Sequence, residues 1–192
     1  MRKRSSMAVK GFTLIELVVV ITILSIVSVV AATKTMNISS DARIAVLKSV
    51  RANLQSSFDL FYAKREMVSS RIITTEQDNS SQDFLVINGQ PILINEHDGY
   101  PLFRVKPLSL FEKELNALVD LDAEIYPIDG KFKTSSKLFI LPNPYGGFRV
   151  YFKGHEKQVA SGKWNCYVHY QTAKQYDGAP TVSKVVVETS DC

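Results

Sequence analysis

An α+β fold is what this sequence predicts. A long N-terminal helix has an apolar half that protrudes and an amphipathic half that packs on a C-terminal antiparallel β-sheet. Three observations carry the expectation. Phe12 to Thr33 is apolar almost throughout. From Ile44 to Tyr62 the apolar residues recur at steps of three and four. Beyond the polar stretch "VSSRIITTEQDNSSQD" the pattern shifts to short apolar runs and period-two alternation.

The first element is the basic start, "MRKRSSMAVKG". The chain has 192 residues, with 23 Lys and Arg against 19 Asp and Glu. Arg2, Lys3, Arg4 and Lys10 account for the whole excess of +4. The high isoelectric point is therefore local to the start. No basic stripe interleaved with aromatic residues follows, so nucleic-acid binding is set aside.

Phe12 to Thr33 comes next. As a helix it spans roughly 33 Å, enough for a hydrocarbon core of about 30 Å. The basic flank stays cytoplasmic and the bulk of the chain faces outward. A cleavable secretory signal is the competing reading, with "AAT" at 31–33 as its weak cleavage candidate. The apolar run is longer than the 7–15 residues such a signal uses. Glu16 is the anomaly, because a carboxylate in hydrocarbon costs roughly 2.5–3.5 kcal/mol or more.

The helix continues past Thr33. Ile44, Leu47, Val50, Leu54, Phe58, Phe61 and Tyr62 mark one apolar stripe that packs against soluble structure. One helix from about Thr13 to Met67 is expected, with irregularity or a new cap near Ser40 as the alternative. Asp41, Arg43, Lys64 and Glu66 read as solvated helix charges. Then "VSSRIITTEQDNSSQD" reads as a polar connection, "DFLVINGQPILIN" as a hairpin around Asn88–Pro91 and "HDGYP" as a turn. Ser109 and Glu112 form a capping box before a short helix carrying Phe111, Leu115, Leu118 and Val119. "KLFILPNPYGGFRVYFKG" is strand, turn, strand. "WNCYVHYQ" places Trp164, Cys166, Val168 and Tyr170 on one face, and "TVSKVVVETS" is the last strand.

Cys166 and Cys192, 26 positions apart, are a disulfide if the chain is exported and two free thiols if it is cytosolic. Bonded, they contribute about 3.5 kcal/mol by chain-entropy arithmetic. His97, His155 and His169 lack metal-site spacing. "DNSSQD" at 78–83 lacks the glycine and final glutamate of a calcium loop. Asn37 and Asn79 open N-x-S patterns, which are common by chance. No nucleophile elbow, phosphate-binding loop or carboxylate pair is present, so neither an enzyme nor a cofactor is expected.

"KGFTLIEL" followed by an apolar helix resembles the processing motif of type IV pilins and of type II secretion pseudopilins. "NEHDGYP" and the ending "CYVHYQTA…PTVSKVVVETSDC" resemble the mannose-sensitive haemagglutinin pilin branch, as does "DARIAVLKSVRANLQSS". The resemblance implies a leader, residues 1–11, removed by a prepilin peptidase that cuts between Gly11 and Phe12 and methylates the new amine of Phe12. It implies a transmembrane and assembly helix at 12–33, an amphipathic continuation at 34–67, and a β-rich pilin head at 68–192 closed by a Cys166–Cys192 disulfide. Glu16, with Phe12, would serve filament assembly by meeting a neighbour's N-terminal amine. Partners would be copies of itself, other pilins, the inner membrane and the pilus assembly machinery. The chain would move from the inner membrane to a surface fibre used for attachment. The alternatives are a pseudopilin in a short periplasmic pseudopilus and an anchored binding domain that never polymerises. Many such pilins have Gly where this chain has Ser25 and Pro where it has Thr33. Pro costs a helix about 3 kcal/mol, so a more continuous helix is expected here.

Overall fold

The computed structural model describes residues 12–67, 69, 71–77, 80–126, 135–174 and 177–192; for 32–37, 76–77 and 80 only the backbone is considered. The elements are α1 (Leu14–Arg65), β1 (Ile72–Gln77), β2 (Ser80–Ile87), β3 (Gln90–Ile94) and β4 (Pro101–Leu102). Then come α2 (Leu108–Leu118), β5 (Ala123–Ile125), β6 (Leu138–Pro142), β7 (Phe148–Phe152), α3 (Glu156–Ala160), β8 (Tyr167–Gln171) and β9 (Lys184–Glu188). The chain divides into two units, Met1–Ala42 and Arg43–Cys192.

In the smaller unit α1 is long and apolar enough over Leu14–Ala31 to cross a membrane. Every side chain from Phe12 to Ala31 is exposed in the single chain. Helical assignment runs unbroken through Ser25, Thr33 and Ser40, so no second helix starts at Ser40. The observed ends, Leu14 and Arg65, lie within two residues of the expected ones.

The larger unit is α+β with two sheets where one was expected. A four-stranded antiparallel sheet runs in the order β1-β2-β3-β4, and a five-stranded sheet in the order β5-β6-β7-β8-β9. The second sheet is antiparallel except for β5, which pairs parallel to β6. The second half of α1 supplies the core. Leu47, Val50, Leu54 and Phe58 pack with Ile140, Phe148, Val150, Val168, Tyr170 and Val185. Phe58 meets the rings of Tyr170 at 4.5 Å, Phe103 at 5.8 Å and Phe148 at 6.4 Å. Burying such a ring contributes about 1.5–3 kcal/mol. Phe61, one turn on, joins Leu85, Ile87 and Ile92 in a second cluster. The stripe foreseen in the sequence is therefore core over Leu47–Phe61, while Ile44 is half-buried and Tyr62 exposed.

The hairpin expected around Asn88 is β2–β3. Asn88 and Gly89 both take positive φ, 49° and 79°, which matches the right-handed twist of the strands it joins. Three local expectations fail. The segment read as a polar connection contains β1 and the start of β2. Ile72-Ile73-Thr74-Thr75 is β-branched, but all four side chains are exposed, so no buried alternation marks it. The Ser109–Glu112 box is not formed. α2 begins at Leu108 behind Pro107, which makes no side-chain cap, and Ser109 is already the second helical residue. Cys166 lies one residue before β8 rather than within it.

Polar bonds pin these layers. Arg51 Nε donates to the Val185 carbonyl at 3.1 Å, and Arg43 Nη1 to that of Cys192 at 3.5 Å. Tyr170, fully buried, donates its hydroxyl to Pro101 O at 2.6 Å. The Tyr100 hydroxyl donates to Asp59 at 2.9 Å; burial, then that bond, push its pKa to about 12. Glu114 is fully buried and receives Arg104 Nε at 2.6 Å and Arg104 N at 2.9 Å. Burial raises its pKa, and the Arg104 bonds oppose the rise.

Candidate assembly site

Gly11 lies outside the described residues, so the Gly11–Phe12 bond is described on one side only. Phe12 is exposed, and Thr13 stands immediately before the first helical residue. Glu16 Oε2 accepts from the Thr13 backbone N–H at 2.9 Å and from its hydroxyl at 2.9 Å. Glu16 N donates back to Thr13 Oγ1 at 3.3 Å. This reciprocal set is a capping box, and the carboxylate sits at the positive end of the helix dipole. Glu16 thus has work within its own helix. The signal was readable as T-x-x-E at 13–16; attention to the charge alone misses it.

Three further hydroxyls of the apolar segment are satisfied internally. Thr22, Ser25 and Ser28 donate their hydroxyls to the carbonyls of Val19, Ile21 and Leu24 at 2.7–2.8 Å. Such back-bonding removes the cost of a hydroxyl in an apolar environment. Glu16 is then the ionisable side chain that distinguishes the segment Phe12–Ala31 from a plain anchor.

α1 carries a second uncharged face within the larger unit. Ala45, Ser49, Ala52, Asn53, Ser56, Leu60 and Ala63 recur at helical spacing opposite the core stripe, and all are exposed. Leu60 is 67% exposed. Lys48 and Asp59 border this face on one side and Lys64 on the other, without entering it.

The C-terminal end is closed. Cys166 and Cys192 are disulfide-bonded, with Cα atoms 5.0 Å apart. Beside them Asn165 N donates to Asp191 Oδ2 at 2.7 Å, and Asp191 N to Asn165 O at 3.3 Å. The histidines are dispersed. His169 is buried opposite Arg149 in the β7–β8 ladder, with Nδ1 3.2 Å from Gln171 Nε2. Burial first, then the Arg149 charge, lower its pKa to about 4. His155 stacks on Trp164 at 3.9 Å, and burial lowers its pKa too. His97 lies 3.6 Å from Glu96. Among the described residues no group of three or more metal-capable side chains converges. Asp78 and Asn79 of the candidate calcium loop are outside the described residues; Asp83 accepts the Thr74 hydroxyl at 2.8 Å. Arg43, expected to be solvated, is half-buried and bonded to the Cys192 carbonyl, whereas Glu66 stays exposed beside Arg65.

No curated protein and no solved structure matches the chain. A family model does, the prokaryotic N-terminal methylation motif, over residues 6–32. That segment holds Lys10, Gly11, Phe12, the Thr13–Glu16 cap and nearly all of the apolar span. The match supports a structural protein of the type IV pilin or pseudopilin kind, processed by prepilin peptidase and anchored in a membrane before assembly.

Proposed function

We propose that this chain is the structural subunit of a type IV pilus, polymerising through α1 into a surface fibre used for attachment. One observation carries the reading: an exposed apolar helix, within a matched prepilin motif, holds a carboxylate in its first turn. Prepilin peptidase cuts between Gly11 and Phe12 and methylates the Phe12 amine. The new amine and Glu16 then lie on the same helix end, with Glu16 in the fifth place of the mature chain. A carboxylate in hydrocarbon is relieved by a cation, and a neighbour's amine is one. Amine-to-carboxylate contacts between successive copies are heterologous and do not close, so they build a helical filament. The uncharged face Ala45–Ala63 supports close packing of helices along the fibre.

Two substitutions at Glu16 test the reading. Glu16→Val removes the charge and the capping box; Glu16→Gln keeps an acceptor for Thr13 and removes the charge alone. Both variants are expected to stay membrane-inserted and to lose fibres. Fibres that persist in Glu16→Gln would remove the charge from the mechanism. Mass spectrometry of the mature N-terminus is expected to find methylated Phe12.

The second reading is a pseudopilin, which shares every N-terminal feature. The disulfide at the chain end favours the exposed fibre, where a closed edge resists fraying. Electron microscopy of the cell surface separates the two: long fibres containing this chain mean a pilus, and none a pseudopilus.

A further inference from the structure

An edge strand presents unpaired backbone groups, and proteins guard such edges. Among the described residues the larger unit has four outer strands, β1, β4, β5 and β9. Three are guarded. β4 has two residues and opens with Pro101, and β5 has three. β9 has five, but Arg51 occupies its Val185 carbonyl and Lys48 lies along the same groove. β1 has none of these protections. It is six residues long, without proline and without charge from Ile72 to Thr75. Ile72 and Ile73 are 44% and 39% exposed. Among the described residues nothing pairs with its outer side.

The outer side has a definite hydrogen-bonding pattern. Val86 N donates to Arg71 O at 3.1 Å, and the ladder opposes Ile72 to Leu85 and Thr74 to Asp83. Backbone groups alternate in an antiparallel pair. Those of Arg71, Ile73 and Thr75 therefore face β2, and those of Ile72, Thr74 and Glu76 face outward. Three outward residues centred on Thr74 make a self-complementary edge. A two-fold axis through Thr74 sets Thr74 against Thr74 and Ile72 against Glu76 as hydrogen-bonded pairs. Ile73 then faces Thr75 between them. A slip of one residue turns donors and acceptors away, so this is the register that uses all three.

From this pattern we infer that β1 pairs with β1 of a second copy of the chain, in an isologous antiparallel contact centred on Thr74. From Ile72 to Thr75 the strand offers no charge for selecting a different partner, whereas its own sequence satisfies it. An isologous contact joins two copies and closes there. It does not extend a filament; between copies in two filaments it joins them side by side.

Cysteine placement tests the register. The full chain is prepared in detergent in the Glu16→Val background, so that polymerisation and edge pairing are read separately. Thr74→Cys is expected to give disulfide-linked dimer as its main product on mild oxidation. Thr75→Cys is expected to give at least tenfold less, because diagonal positions lie beyond disulfide reach. Thr74→Pro removes one outward N–H and leaves the β1–β2 ladder intact, so the dimer is lost in sedimentation. Thr74→Lys places like charges across the axis and does the same without a backbone change. Monomeric Thr74→Cys, equal crosslinking at both positions, or dimer unchanged in Thr74→Lys each overturns the inference. Capture of a different protein by this edge, in place of the second copy, overturns it too.

Discussion

The two ends of α1 share one backbone conformation and face opposite problems. From Leu14 to Ala31 every side chain is exposed, although nearly all are apolar. From Leu47 to Phe61 one face is fully packed and the opposite face is bare and uncharged. The first end leaves its apolar side chains uncovered in the single chain, which suits it to a membrane or to other copies. The second end is half satisfied, because the sheets cover one stripe. A helix that buries one side in its own unit and leaves the rest to others is suited to assembly.

The largest test of that contrast is a pair of truncations. Phe58→Ala is expected to cost the larger unit about 3–5 kcal/mol, since it empties a fully enclosed site between three rings. Val19→Ala, in the exposed end, is expected to leave the same unfolding transition unchanged. Chemical denaturation of the full chain in detergent, followed by near-ultraviolet circular dichroism, reads both. A comparable loss at Val19 would erase the distinction.

Next in size is the chain end. Replacing Cys166 and Cys192 together with Ser is expected to lower stability by about 3.5 kcal/mol. The same denaturation without reductant measures it, and the far-ultraviolet helical signal of Leu14–Ala31 should persist.

His169 gives a similar effect with a pH signature. Its pKa in the fold is about 4, below the ordinary value of 6.5. The fold therefore holds the neutral ring, and protonation favours the unfolded chain. The contribution is fully present above pH 6.5 and is lost as pH falls to about 4, a change of about 3 kcal/mol. Unfolding titrations at several pH values are expected to slope across that window, and His169→Leu to flatten the slope. The smallest effect is at the other end of the molecule. Thr13→Ala removes one partner of the capping box and is expected to cost about 1 kcal/mol at the helix start. Hydrogen exchange of the first-turn amides would speed up accordingly, with the larger unit untouched.

Local signals in the sequence led to local structure. Asn88-Gly89 between apolar runs is a hairpin, and spacing three and four from Leu47 to Phe61 is a buried helix face. The two capping patterns are more instructive. Thr13-x-x-Glu16 forms its box and Ser109-x-x-Glu112 does not. The difference lies in where each helix starts. Thr13 is the residue before α1, whereas Pro107 lets α2 begin at Leu108 and carries Ser109 into the first turn. β1, β5 and the division into two sheets were not legible. β1 has no buried face, and β5 is three half-buried residues held by a parallel neighbour 15 positions away.

The sequence by itself determined the character of the N-terminal segment, because length and apolarity act residue by residue and need no partner. It also determined the stripe of α1 and the β2–β3 turn, since those depend on neighbours a few residues apart. Only the tertiary structure decided that His169 is buried opposite a cation. It also decided that β9 is guarded by Arg51 while β1 is left open. Each of these depends on what lies across a ladder or beside its edge. Those are settled by contacts between residues far apart in sequence, where no local period records them.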